Sequence, residues 1–231
     1  SANNSCGLQS GLEPHERELW MHLERLERAV TDGRDEGVEF GYRLASAEAR
    51  NLMSVLNQLA DAVLVVCMDL VGEFVFSGFS SLQALDPAGC RPFDRNRNGL
   101  SLGEGGAALL LMSAETARRK GIPGIGSVVG WGAANDATHV TAPSRDGCGL
   151  IQAIGRAMAK ASIGPDDIAA INAHGTGTVY NDTMESTAFE AVFGSRRIPL
   201  NSIKGAIGHT LGAAGGIEVA AGLRSLADRT L

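Results

Sequence analysis

The feature that most constrains this fold is a recurring alternation: a short apolar run rich in β-branched residues, then a segment with helical spacing. Asp61-Ala62-Val63-Leu64-Val65-Val66-Cys67-Met68 is one such run and reads as a buried parallel strand. Ahead of it, Leu44, Ala47, Leu52, Val55 and Leu59 fall close to helical spacing and form one apolar face. Ala107 to Met112 repeats the run, and Ser113 to Gly121 follows as a helix with a serine cap, a basic last turn and a closing glycine. Further on, Ser127 to Gly132 reads as a strand, Leu150 to Ala161 as a helix, Gly164 to Asp167 as a turn and Ile168 to Ala173 as a strand. Asn181 to Phe193 reads as a helix, Ile198 to Ser202 as a strand and Gly215 to Ala227 as a helix with small residues on one face. Elements in this order predict an α/β fold, a sheet covered by helices.

Bulk properties narrow the function classes. The 231 residues suffice for a sizeable core in one or two domains, and 44% hydrophobic with 20% charged residues is ordinary globular composition. A formal charge of −6 with no basic stripe argues against nucleic acid as a partner. No uncharged apolar stretch is long enough for a membrane span, since Ala62 to Met68 is bounded by Asp61 and Asp69. No secretory signal pattern opens the chain, so a cytoplasmic location is expected. Cys6, Cys67, Cys90 and Cys148 lack C-x-x-C spacing, which indicates neither a zinc site nor a disulfide framework, and no metal is expected.

Glu13 to Arg34 is different text, with Leu19, Leu23, Leu26 and Val30 at helical spacing among many Glu and Arg. It reads as an amphipathic helix with a solvated charged face, or as a partner-binding helix.

The chemistry-bearing residues gather towards the C-terminal end. His174, in His174-Gly175-Thr176-Gly177-Thr178, directly follows an apolar run and so sits at the C-terminal end of a strand, where ligands of open α/β sheets bind. Lys204 lies five residues before His209, with Gly205 and Gly208 between them allowing the backbone to turn both side chains towards one pocket. Two imidazoles and an ammonium held in such turns suit a reaction that builds negative charge on a thioester oxygen. Glu218, one helix further on, is a carboxylate able to support a partly buried cation, or an ordinary helix-surface residue. Asp182 and Glu185 share a face at a helix start and favour the positive end of its dipole. Gly99 to Gly106 is glycine-rich but enters a strand rather than a helix, so phosphate binding is not indicated.

These motifs occur in a specific order. His174-Gly175-Thr176-Gly177-Thr178, Asp182-Thr183-Met184-Glu185 and the run from Lys204-Gly205-Ala206-Ile207-Gly208-His209 to Glu218 strongly resemble the β-ketoacyl-acyl carrier protein synthases of the KAS I/II type. Phe79-Ser80-Ser81-Leu82-Gln83-Ala84-Leu85, Cys90-Arg91-Pro92-Phe93-Asp94, Gly99 to Ala108 and Thr141-Ala142-Pro143 look like the same family's text, and the likeness runs from about Ala60 to Leu231. The resemblance implies the thiolase-like layered αβαβα fold, built from two similar halves and here incomplete. It divides the chain into a mainly helical segment 1–57 of uncertain placement, a remnant of the first half at 58–112, and a shortened second half at 113–231. It implies decarboxylative Claisen condensation of malonyl and acyl thioesters in fatty acid or polyketide assembly. His174 and His209 would donate to the malonyl thioester oxygen, Lys204 would organise the site's electrostatics with Glu218 near it, and Asp182, Glu185, Thr176 and Thr178 would support. No cofactor is implied. The implied partners are an acyl carrier protein, reached through basic residues, and a second ketosynthase subunit, as homodimer or heterodimer; Arg95, Arg97, Arg196 and Arg197 are candidates for the first contact but read more readily as ordinary solvated surface.

Two departures qualify that reading. The family's nucleophilic cysteine elbow should fall near Val38, Glu39 and Phe40, where no cysteine stands, and the further strand and Gly-Phe-Gly-Gly-like loop that the family carries after this last helix are not seen by Leu231, so the chain reads as shortened at both ends or as a relative with its N-terminal portion replaced. Cys6 is a candidate nucleophile, against a buried or incidental thiol, and Cys67 and Cys90 read as packing residues. A noncatalytic partner resembling the chain-length factors, and a malonyl-thioester decarboxylase without condensation, therefore stand as alternatives.

Overall fold

The computed structural model describes residues 62–139 and 142–230. The expected helices around Glu13–Arg34 and Leu44–Leu59, the position near Val38 and the candidate Cys6 lie outside the described residues. Two compact units divide the chain: among the described residues, one takes in Ala62, Val63 and Met112–Lys120, the other Leu64–Leu111 and Gly121 onwards.

Strand β1 (Ala62–Asp69) and strand β2 (Gly105–Met112) form a two-stranded sheet. Between them, helix α1 (Glu73–Ser81) begins with an acidic residue at its positive end and stops where Gln83 takes a left-handed conformation. Helix α2 (Ala114–Lys120) starts as expected: the Ser113 hydroxyl accepts the Thr116 N–H at 3.1 Å, and Arg118, Arg119 and Lys120 occupy its last turn.

Helix α3 (Cys148–Ala161) packs against helix α4 (Val179–Phe193). Strands β3 (Ile171–Asn172) and β4 (Leu200–Asn201) pair in parallel, Ile171 opposite Leu200 and Asn172 opposite Asn201. This short ladder positions the site. Parallel pairing brings the C-terminal ends of both strands to the same edge, so the chain leaves β3 into His174 beside the point where it leaves β4 into helix α5 (Lys204–Ile207). A third extended strip is supplied by Ser101–Gly103, which receives the His209 N–H on the Ser101 carbonyl and donates the Gly103 N–H to the His209 carbonyl. The chain then passes through a 3-10 turn (Leu211–Ala213) into helix α6 (Ala214–Asp228). Gly216 of α6 lies so close to Cys67 of β1 and Ala107 of β2 that the helix rests directly on their sheet.

Three expectations need correction. Ser127 to Gly132 is not a strand: among the described residues it has no ladder partner, and it runs against α3, where a Cβ on Gly132 would stand 2.0 Å from the Ala153 carbonyl oxygen. Val128, Val129 and Trp131 stay exposed, and it is the glycines of this segment that allow backbone to meet backbone. The strands expected at Ile168–Ala173 and Ile198–Ser202 each shrink to two residues. The expected single sheet is represented by two separate two-stranded sheets among the described residues. No described helix is long and apolar enough to cross a membrane.

The contact at Gly132 is testable. Gly132→Ala should lower the unfolding free energy by about 1–3 kcal/mol through overpacking, read as a lower urea midpoint. An unchanged midpoint would contradict the packing of 127–132 on α3.

Candidate active site

The largest side chain in the protein's described interior with almost no solvent contact belongs to a lysine. Lys204 is 1% exposed, and its ammonium is met on three sides. Nζ donates to the His174 carbonyl oxygen at 2.6 Å, lies 3.3 Å from His174 Nδ1, and forms an ion pair with Oε1 of Glu218. Burying an unpaired ammonium would cost several kcal/mol, so this pairing is a condition for Lys204 being there. The Glu218 backbone carbonyl in turn accepts from the Asn172 side-chain amide at 3.0 Å, fastening α6 to β3.

The His174 and His209 rings meet edge to face, centroids 5.1 Å apart with planes at 82°. Each Nδ1 is occupied. At His209 it accepts the Leu211 N–H at 3.1 Å, and at His174 it faces the Lys204 ammonium, a group with only protons to offer. Both contacts select the tautomer with its proton on Nε2, so each ring presents an Nε2–H donor.

Both imidazoles are kept neutral. The pKa of His174 is lowered to about 4 by desolvation first and then by the Lys204 ammonium. Because His174 keeps an exposed face, the ammonium 3.3 Å away is the cause that withstands solvent access. His209 is also lowered to about 4, by desolvation, then by His174 and Lys204.

The loop carrying His174 is held by two carboxylates from α4. Glu185, 3% exposed, accepts the His174 N–H at 2.8 Å and the Gly175 N–H at 2.7 Å. Burial pushes its carboxyl pKa upward, against these backbone hydrogen bonds and one from Asn181. Asp182, fully buried, accepts from Gly177 N at 3.2 Å and Phe93 N at 2.8 Å, and lies 3.7 Å from Arg97 Nε. Gly175 has φ +44°, and a Cβ there would fall 2.5 Å from Ser202, so only glycine fits between the two strand ends. Thr176 and Thr178 bond to each other through their hydroxyls at 2.9 Å.

The structure therefore brings His174, His209, Lys204 and Glu218 together, with Thr176 and Thr178 in the His174 loop and Asp182 and Glu185 on α4 behind it. Asp182 and Glu185 were expected at the helix start as dipole partners and, from the resemblance, as supports, and their main contacts are backbone amides of the loop and of Phe93. Arg97 and Arg196 are not free surface cations: Arg97 serves Asp94, Val179, Thr183 and Asp182, and Arg196 bonds to the Pro165, Asp166 and Ile168 carbonyls. Cys90 is buried, donates to the Thr176 carbonyl at 3.1 Å, and has its thiol pKa raised, chiefly by burial. Sequence reasoning missed Asn181, whose side-chain amide bridges Glu185 and Asp182, and the Leu211 N–H. Asn181 precedes Asp182 at the head of α4, which is a signal only in hindsight.

A cavity of about 450 Å³ borders Lys204 and is lined also by Cys90, Arg91, Ser101, Leu102 and Ile207, but neither imidazole lines it. Arg91, its other cation, is already committed to Asp86 and the Asn96 carbonyl.

Comparison with known proteins agrees with this arrangement. Residues 45–117 match the family model "Beta-ketoacyl synthase, N-terminal domain" and residues 125–231 match "Beta-ketoacyl synthase, C-terminal domain". The chain is 41% identical over 162 residues to the tetracenomycin polyketide synthase ketoacyl synthase alpha subunit of Streptomyces glaucescens, covering 69% of this chain and 37% of that protein. It is 38% identical over 161 residues to 3-oxoacyl-[acyl-carrier-protein] synthase 2 of Synechocystis sp., covering 66% of this chain and 39% of that one. Among solved structures, the ishigamide ketosynthase/chain length factor superposes with a TM-score of 0.71 at 36% identity, covering 76% of this chain and 43% of that one. The chain thus spans about two fifths of the length of these relatives, and its fold is the thiolase-like fold of the ketosynthases, in part.

The neutral imidazoles set a pH dependence. Their folded pKa of about 4 lies below the ordinary 6.5, so their contribution to stability is present above about pH 6.5 and is lost as the pH falls towards 4. Glu185, raised by burial, has the opposite sign: its contribution is present at low pH and lost as the pH rises through its folded pKa. Urea midpoints of the wild type should fall on acidification between these limits, and a variant with His174→Gln and His209→Gln should show a flatter decline. Parallel declines would contradict the assignment.

Proposed function

This chain belongs to the β-ketoacyl synthase family, and on that premise we propose that it serves decarboxylative condensation of malonyl and acyl thioesters in fatty acid or polyketide assembly. The observation that carries the proposal is the pair of neutral imidazoles, edge to face, each with Nδ1 occupied and Nε2–H left to donate. In the proposed step the bond between the malonyl Cα and its carboxylate breaks, carbon dioxide leaves, and the electron pair moves into an enolate. The developing charge on the thioester oxygen is met by the Nε2–H groups of His174 and His209. Preorganised donors of this kind usually supply the largest single share of such catalysis. Neutral rings suit the task, because they donate without surrendering a proton to the enolate. Lys204 holds His174 in that state and Glu218 holds Lys204, while Asp182 and Glu185 fix the loop.

Condensation further needs a thiolate to carry the acyl group. Among the described cysteines none fits: Cys90 is buried with a raised pKa, Cys67 packs against Gly216, and Cys148 lies at the start of α3. Cys6 remains the candidate within this chain. The proposed partners are an acyl carrier protein and a second ketosynthase subunit, with cytoplasmic location. The names of the relatives support both partners, one being a synthase acting on acyl carrier protein and another a ketosynthase with a chain length factor. Division of the chain at 58–112 and 113–231 between the family's halves is part of the same reading; the two family matches, at 45–117 and 125–231, support a division between two halves, the first beginning within the segment 1–57. The likeness to a ketosynthase/chain length factor structure also favours the second reading, a noncatalytic partner subunit. Retention of both imidazoles and Lys204 speaks for activity.

Intact mass and carbon dioxide release, measured after incubation with acyl and malonyl thioesters, separate the readings. A stable acyl adduct on Cys6 with release supports condensation, release without an adduct supports a decarboxylase, and neither signal leaves the partner role. His174→Ala or His209→Ala should each lower release by about 10²–10³-fold. Unchanged release in both variants would defeat the assigned roles.

A further inference from the structure

We propose that Asp69 is a positioning residue for this site, acting through the Leu211–Gly212 turn to hold His209 in its Nε2–H tautomer; the inference rests on the reading of His209 as an oxyanion donor. The argument starts from strain. Leu211, whose N–H supplies the bond to His209 Nδ1, has φ +46°, a left-handed conformation uncommon for a bulky residue. Such a residue costs on the order of 1–3 kcal/mol and persists only where its surroundings over-determine it.

The determinants can be named. Within the turn, the Ala213 N–H donates to the Thr210 carbonyl at 2.9 Å. From outside, Oδ2 of Asp69 accepts the Gly212 N–H at 2.9 Å across 143 positions of sequence. Gly212 lies in the 3-10 turn that leads into α6, where the N–H groups lack intrahelical partners and the helix dipole favours an anion. Asp69 thus caps that turn from the end of β1.

The carboxylate is itself aimed. Its Oδ1 accepts the neighbouring Leu70 N–H at 2.9 Å, leaving Oδ2 for Gly212. The next amide, Val71 N–H, donates to Glu104 Oε1 at 2.8 Å, tying the chain after β1 to the segment entering β2. A continuous line of contacts runs from the sheet through Asp69, Gly212 and Leu211 to His209. Without Asp69 the turn relaxes, the Leu211 N–H leaves Nδ1, and the neutral ring can carry its proton on either nitrogen. A ring protonated on Nδ1 turns a lone pair, not a donor, towards the thioester oxygen.

Long-range proton–nitrogen correlation spectra of the full chain, labelled with ¹⁵N-histidine at neutral pH, read this directly. His209 should show only the Nε2–H form in the wild type and a mixture in Asp69→Ala, with His174 unchanged. Asp69→Asn keeps an acceptor oxygen and should restore the single form. Gly212→Ala approaches from the other side: its Cβ would stand 2.9 Å from Asp69 Oδ2 and displace it, reproducing the mixture even if Asp69→Ala does not fold. In the carbon dioxide assay kcat should fall roughly 10-fold with KM little changed, less than the loss of a donor outright. A single Nε2–H form of His209 in both Asp69→Ala and Gly212→Ala overturns the proposal. A tautomer change in these variants with no release even from the wild type supports the positioning role and defeats the functional reading instead.

Discussion

Everything at this site depends on an ammonium that has been taken out of water. Lys204 sits where two parallel strand ends meet, almost without solvent contact, and is stabilised by a carboxylate from α6 and a carbonyl from the His174 loop. Removing one partner of a buried ion pair is costly because the other is left uncompensated, so Glu218 and Lys204 stand or fall together. The ammonium then imposes order on its neighbours: it occupies the Nδ1 edge of the His174 ring, opposes that ring's protonation, and draws β3, α5 and α6 to one point.

The surrounding acids serve the backbone rather than the chemistry. Glu185 and Asp182 spend their oxygens on four amide N–H groups, three from the His174 loop and one from Phe93, so a glycine-rich loop with few intrinsic restraints gains a defined shape. Asp69 does the same for the turn after His209. Each imidazole is thus backed by a carboxylate that never touches it. Rigidity of this kind is what a preorganised oxyanion site requires, because donors that must rearrange during reaction lose much of their value.

How legible was this in the sequence? The motif residues His174, Lys204, His209 and Glu218 stood out because their glycine-rich spacing matches a family pattern, and the helices 148–161, 179–193 and 214–228 were visible within one or two residues of their ends from periodicity and composition. The segment 127–132 was misread because an apolar, β-branched run looks alike whether it pairs with a strand or lies against a helix; the deciding feature, Gly132 against the Ala153 carbonyl, is a tertiary contact. Asp182 and Glu185 read locally as helix-start acids and only through the family likeness as supports, since nothing local reveals that the chain folds its own loop over them. Arg97 and Arg196 looked like solvated surface for the same reason. Asp69 was invisible as anything but the end of a strand, its partner being 143 residues away.

The central claim is that the imidazoles are held neutral by their surroundings, with the Lys204 ammonium as the charge responsible at His174. An NMR titration of the histidine ring protons in the intact chain, repeated with Lys204→Met, tests it most directly. Both rings should titrate near 4 in the wild type, and His174 should move upward when the ammonium is removed. A wild-type His174 titrating at the ordinary 6.5, or one indifferent to Lys204→Met, would contradict the account.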